Sequence, residues 1–231
     1  MKLFDSLICE VSAFPDLSQK INYPYNKAFA WADAGYSQVI LRRDTAYELD
    51  GVGFNLLTEA PVDDGIVVIG EELDNIASDR KFARVCLVQT DQGCNEQEYY
   101  KAIKKIDYVK YHCFPEGYMI RTASRSHKES VRVAVSALKK KISFEKIGNL
   151  LINKYKENPS VKAVRVIFIT APNADYKRLE AMAEKSVSIT EALNHTMNSL
   201  RFDCDACSFK AVCDEVEGMK ELHFRNSSAE V

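Results

Sequence analysis

At 231 residues the chain is about one and a half times a typical domain, so one or two compact domains with a sizeable core are expected. Hydrophobic residues at 46% and charged residues at 28% exclude the disordered and collagen-like classes, and no apolar run approaches the roughly 18 residues of a membrane helix. The net charge of -2 conceals an asymmetry: residues 1–100 carry 8 Lys/Arg against 17 Asp/Glu, residues 101–200 carry 19 against 9, and the remainder carries 4 against 7. A basic centre between acidic flanks either docks an anionic ligand or an acidic partner, or is neutralised by the chain's own N-terminal part. Nucleic acid is disfavoured, because the basic stretch has no interleaved aromatics and no reading motif.

Asp5 and Glu10 interrupt the N-terminal stretch that an export signal would keep apolar, so a cytoplasmic location is expected. Tyr25 to Gly35 reads as a short helix carrying Phe29 and Trp31. Three β-rich runs follow, Gln38–Arg42, Ile66–Gly70 and Arg84–Gln89, separated by turn-like stretches such as Asp50-Gly51-Val52-Gly53 and Asp63-Asp64-Gly65. A helix is expected from about Glu96 to Asp107, burying Tyr99, Ile103 and Ile106. Ser126-His127-Lys128-Glu129 has the form of a capping box, which predicts a helix with Val131, Val135 and Leu138 inward. A further helix runs from Ser143 to about Asn158, ended by Pro159. Ala163–Thr170 is the clearest strand. Pro172 opens a helix edged by Tyr176, Leu179 and Met182, and Thr190 starts the last one, with Leu193, Met197 and Leu200. Strands early and helices late give an α+β fold with a mixed sheet, divided into an α+β domain over residues 1–200 and a cysteine-rich metal-binding tail over 201–231.

Seven cysteines, an odd number without an export signal, speak against a disulfide framework. Cys86 reads as a small core residue of a strand, and Cys9, Cys94 and Cys113 have no evident partner. Cys204, Cys207 and Cys213 are spaced C-x2-C-x5-C, with His223 ten residues beyond. A two-residue gap lets two thiolates converge on one centre, and soft sulfur suits zinc or an iron-sulfur cluster; spacing alone does not choose between them. Asp203, Asp205, Asp214 and Glu215 keep this segment wet. Arg121, Arg125, Lys128 and Arg132 cluster where the Ser126 helix is expected to begin. Amides, dipole and guanidinium forks would then share one anion, or the group is simply a solvated basic face. His112, His127 and His195 read as isolated structural histidines, and Asp91, Glu96 and Glu98 as an acidic cluster without a role.

Glu116-Gly117, Val131-Arg132-Val133, Ser143-Phe144-Glu145-Lys146-Ile147-Gly148, Val164 to Thr170 and Cys204-x2-Cys207, in that order, resemble the acetyl-CoA synthase beta subunit of the carbon monoxide dehydrogenase/acetyl-CoA synthase complex. The resemblance runs from roughly Glu116 to Cys213, with a fainter extension upstream to about residue 25. It implies a 4Fe-4S cluster, because four cysteines hold one in that family, the first two in C-x2-C spacing, and one of them bridges to a nickel pair. Cys204, Cys207 and Cys213 match the first three ligands. The second gap is shorter here, His223 stands near the place of the fourth cysteine, and the Cys-Gly-Cys that seats the outer nickel is not reached. The family's central segment is thought to face CoA or ferredoxin through arginines, a role that falls on Arg121, Arg125 and Arg132. The function implied is a truncated, cluster-binding relative in anaerobic one-carbon and acetyl-CoA metabolism, with ferredoxin, carbon monoxide dehydrogenase or corrinoid protein components as partners. Two alternatives stand beside it. One is a zinc-stapled or metal-free module docking CoA or an acidic partner; the other is an acetyl- or carbonyl-transferring catalyst completed by a partner chain.

Overall fold

The computed structural model describes residues 2–14, 20–35, 41–90, 96–122, 127–198, 207–216 and 218–219. Among these, seven strands form one mixed sheet: β1 (Lys20–Pro24), β2 (Ala46–Thr58), β3 (Gly65–Ile69), β4 (Arg80–Thr90), β5 (Tyr118–Thr122), β6 (Lys128–Ala134) and β7 (Val161–Ile169). Their spatial order is β1-β3-β7-β4-β2-β6-β5. The pairs β3–β7 and β2–β4 are parallel and the others antiparallel. Six helices complete the described chain: α1 (Asp5–Ser12), α2 (Glu96–Tyr108), α3 (Val135–Lys139), α4 (Phe144–Lys156), α5 (Tyr176–Asn198) and α6 (Lys210–Glu215). The expected α+β class with a mixed sheet is what the chain adopts.

The central strands β4 and β7 are covered on both faces, which is why they read as near-continuous apolar runs. Alternation along the strands sorts the coverage. One face presents Ile66, Phe82, Val166 and Phe168 to α4, whose Phe144 stacks on Phe168 at 4.5 Å between ring centroids. Gly148 lets α4 approach closely, because a Cβ there would overlap the Ile66 side chain. The other face presents Val67, Leu87, Ile167 and Ile169 toward α1 and Leu179 of α5. Ser143 caps α4 by accepting from the Lys146 amide at 3.2 Å, and the helix stops before Pro159, as its sequence signals require.

Several expected elements take another form. Tyr25–Gly35 is no helix; only Lys27–Phe29 makes a 3-10 turn, and Trp31 donates its indole N–H to the Glu116 carbonyl at 2.7 Å, so tertiary bonds claim this backbone. Of the strand expected over Gln38–Arg42, residues 38–40 lie outside the described residues, and Arg42 instead precedes a 3-10 turn at Arg43–Thr45. Asp50–Gly53 is not a turn but the middle of β2, where a Cβ on Gly53 would strike the Glu129 carboxylate. The helix expected after Ser126 is replaced by strand β6 and the short α3. Val131 and Val133 alternate inward together with Glu129, a period of two that overrides the capping pattern. The two late helices are one: Thr190 lies inside α5 and returns its hydroxyl to the Ser186 carbonyl at 3.0 Å.

Candidate functional site

Helix α5 delivers His195 in its last turn, and α6 packs back against the same helix. Lys185 and Glu215 join the two helices at 2.8 Å, and Val216 and Met219 are buried in the core just beyond α6. This anchorage brings half-buried Cys207, immediately before α6, to the end of α5. Its Sγ stands 3.8 Å from His195 Nε2, with the Phe209 ring 5.3 Å from the imidazole. Cys213, within α6, is half-buried against the core. Cys204 and His223 lie outside the described residues. Among the described residues no three Cys, His, Asp or Glu side chains gather as a metal-binding group. The structure therefore places Cys207 beside an imidazole that sequence reasoning passed over as structural.

The remaining described thiols are of a different kind. Cys86 is fully buried in β4, where desolvation holds its thiol above the ordinary range, against the opposing pull of the Arg84 guanidinium. Burial pushes Cys113 up to about 12. Both stay protonated thiols, poor as ligands or nucleophiles. Cys9 is exposed on α1.

The arginines expected to face an anion are engaged within the chain. Arg132 gives its Nε to Glu48 at 3.1 Å and an Nη1 hydrogen bond to the Leu41 carbonyl at 3.0 Å, while the more exposed Arg121 reaches the other Glu48 oxygen at 3.4 Å. They sit side by side on β6 and β5, Met119 opposite Arg132 and Arg121 opposite Ser130, not at a helix N-terminus. Arg125 lies outside the described residues. Glu48 belongs to the acidic N-terminal part, as do Asp33, Asp63 and Asp64, which pair with Lys154, Arg165 and Lys156. Much of the charge asymmetry is thus neutralised internally.

A second opening, of about 780 Å³, forms where β6 leaves β2. Their register ends at Val52 opposite Lys128, and the next residues of β2 face α2, α5 and His127. Lys104, Lys110, Tyr108 and Tyr111 line the opening, the two tyrosines being 59% and 44% exposed. His127 Nε2 lies 3.5 Å from Glu184, and its buried Nδ1 has no hydrogen-bond partner among the described residues. The cleft floor rests on a buried polar network. Arg84 holds Glu129 through two bonds of 2.8 and 2.7 Å, Asn55 accepts from Arg84 at 3.2 Å and from the Tyr155 hydroxyl at 2.8 Å, and Asn55 donates to Asp107 at 2.8 Å. Burial would depress the Arg84 guanidinium, but the facing Glu129, Cys86 and Tyr155 hold it well above its ordinary value. No signal of this cleft is visible in the sequence, since its lining comes from four separate segments.

Residues 36–174, more than half of the chain, match the model of a family described as the CO dehydrogenase/acetyl-CoA synthase complex beta subunit. The matched span covers the sheet from β2 to β7, with the cleft floor and the arginines, and it ends before α5 and the three C-terminal cysteines. A search of the curated proteins finds no match. Among the described residues no helix is long and apolar enough to cross a membrane.

Proposed function

The chain belongs to the CO dehydrogenase/acetyl-CoA synthase complex beta subunit family, and from that premise we propose that it is a thiolate-ligated metalloprotein working beside such a complex as a redox or accessory component. The family membership carries the metabolic setting, the C-x2-C-x5-C spacing supports a metal held by Cys204, Cys207 and Cys213, and the family's own use of such cysteines makes a 4Fe-4S cluster the cofactor proposed. In support of the reading, Cys207 is held beside His195 and not buried like Cys86, and α6 is fixed to α5 by the Lys185–Glu215 pair. A bound cluster supplies one-electron exchange at a potential set by its hydrogen bonds and exposure. The protein's own part is to hold the thiolates at the wet edge of the fold, where ferredoxin, carbon monoxide dehydrogenase or a corrinoid component can reach them. Anaerobic reconstitution with iron and sulfide tests the reading. Iron and sulfide bound in the ratio of a cubane, with broad visible absorption, support it; stoichiometric zinc with no visible absorption overturns it and leaves a zinc-stapled module.

The cleft favours a second reading, docking of CoA. Tyr108, which stacks on His112 at 3.6 Å between ring centroids, and Tyr111 expose aromatic surface for a purine, and Lys104 and Lys110 offer cations for its phosphates, whereas Arg121 and Arg132 already hold Glu48. Calorimetric titration with CoA should show binding that weakens at least about tenfold in Lys104→Glu/Lys110→Glu, a loss of about 1.4 kcal/mol. Unchanged binding in that double variant removes the cleft from consideration.

A further inference from the structure

We infer that the sheet face between α1 and α5 holds a binding slot for a small apolar carboxylate, its chain lying along β7 and its anionic head at Arg165. The slot shares no lining residue with the tyrosine-lined cleft or with the cysteine segment, so the inference stands apart from both readings above.

The first ground is unequal coverage of the two sheet faces. Under α4, Ile66, Val68, Val166 and Phe168 are sealed at 0–1% exposure. Their neighbours on the opposite face, Val67 and Ile167, keep 7% and 8%, and Leu87 of β4 keeps 8%. On that side α5 packs chiefly on β2 and β4, and α1 on β2, so β3 and β7 are roofed less closely. The result is an opening of about 190 Å³, floored by Val67, Ile69, Leu87 and Ile167 between Phe14 and Leu179. Size then sets the ligand class. An apolar cavity of about 150 Å³ takes benzene, so this one takes a chain or ring of about six carbons. Drug-sized ligands occupy roughly 300–1,000 Å³, which excludes CoA here.

The second ground is the charge at the ends of the slot. Arg165, Ile167 and Ile169 alternate onto this face as a row of about 13 Å. Arg165 stands at one end, opposite Leu87; at the other, Ile169 lies opposite Ile69, which lies opposite Lys20. Both cations line the slot, and among the described residues no acidic side chain does. The Arg165 fork already holds a carboxylate, since its Nη2 lies 3.2 Å from Asp63 Oδ2, and the Asp63 side chain is 94% exposed. An ion pair so open to water contributes little, so a carboxylate arriving with its chain buried displaces Asp63 or shares the fork with it. Burial of the chain supplies the affinity, and the guanidinium supplies the preference for an anion.

The experiment titrates the full chain, with Ile, Leu and Val methyl groups isotopically labelled for nuclear magnetic resonance, with butyrate, hexanoate and the uncharged hexanamide. The inference expects hexanoate to shift the methyls of Val67, Ile69, Ile167 and Leu179 ahead of those of Ile66 and Val68 on the α4 face. From butyrate to hexanoate the Kd should fall about fourfold per methylene, as a buried CH2 requires. Hexanamide should bind at least about tenfold more weakly than hexanoate, because it forfeits a charge-assisted bond. Arg165→Gln should weaken hexanoate by that same factor and leave hexanamide unchanged, and Asp63→Asn, which removes the competing carboxylate, should tighten hexanoate. A merely structural arginine would not move the acid and the amide apart. Circular dichroism checks that both variants fold; the map of shifted methyls and the comparison of acid with amide need only wild type. No shift at the slot methyls, equal binding of acid and amide, hexanoate binding untouched by Arg165→Gln, or binding weakened by Asp63→Asn each overturns the inference. Slot shifts that follow protein concentration and not hexanoate assign the face to a second copy of the chain and overturn it as well.

Discussion

Glu129→Gln is the substitution whose consequence the structure states most sharply. Arg84 and Glu129 are each 1% exposed and face one another through two parallel bonds of 2.8 and 2.7 Å. Glutamine preserves volume and one acceptor but turns an amide toward the guanidinium and leaves a full positive charge without its counter-ion. Removing one partner of a buried pair costs about 3–5 kcal/mol. Against a domain stability of about 5–15 kcal/mol, that loss is a third of the total or more for an average domain. Replacing both partners by apolar groups, as in Arg84→Met/Glu129→Leu, removes the stranded charge. Asn55 then loses one donor but keeps the Tyr155 hydroxyl at 2.8 Å, so the double variant should fall only about 1 kcal/mol below wild type. Urea unfolding followed by circular dichroism and by the fluorescence of the single tryptophan, Trp31, measures all three, and coincident transitions license the two-state treatment. A cost below about 1 kcal/mol for Glu129→Gln, or a double variant no more stable than the single, would refute the reasoning, since both require the pair to be dry and mutually dependent.

Gly148→Ala should destabilise, because overlap with the Ile66 γ-carbons costs about 1–3 kcal/mol and outweighs the about 1 kcal/mol that alanine adds in helix propensity; Ile66→Ala, which removes those carbons, should cost less in the Gly148→Ala background than in wild type by urea unfolding. Iodoacetamide mapping by mass spectrometry at mildly alkaline pH should label exposed Cys9 in the native chain, while Cys86 and Cys113 react only after unfolding; native labelling of Cys113 contradicts a thiol pushed up to about 12. Desolvation raises the Glu72 carboxyl above the ordinary range even though the Leu73 and Phe144 amides bond to it and pull it down. The folded state therefore holds the proton more tightly than the unfolded one, and wild type loses stability as pH climbs from the ordinary carboxylate value through the raised one. Glu72→Gln, which keeps an oxygen for both amides, should gain on wild type across that window and hold the gain above it; a pH-independent difference in unfolding free energy contradicts the assignment.

The fold was legible where one period dominated. Phe144 to Lys156 carries a cap, an apolar stripe and a following proline that all agree, and β7 is β-branched enough to be a strand under any reading. The failures came where two local rules conflicted. Ser126-x-x-Glu129 reads as a capping box only if Glu129 turns back to an amide. Its carboxylate instead goes to Arg84, forty-five positions earlier, and that pairing makes Lys128–Ala134 a strand. The glycines at 51 and 53 looked like a turn for the same reason. The requirement for small residues in β2 comes from Phe82 and Glu129 on the flanking strands and has no local signature.

The site divides along the same line. The thiol spacing is local and was visible, whereas the imidazole beside Cys207 was not, because His195 reads as a lone histidine until α6 folds back against the end of α5 and sets Cys207 beside it. The arginines show the opposite case. Their cluster was obvious in sequence, but Glu48, more than seventy positions upstream, holds both Arg121 and Arg132. Residues that crowd together in sequence were already satisfied by distant partners, and the imidazole beside Cys207 came from the helix before it. For a chain with acidic flanks and a basic centre, self-pairing across the fold is the outcome that minimises exposed like charge, so Lys104 and Lys110, which form no ion pair among the described residues, and the cleft they line are where an anionic partner meets the least competition.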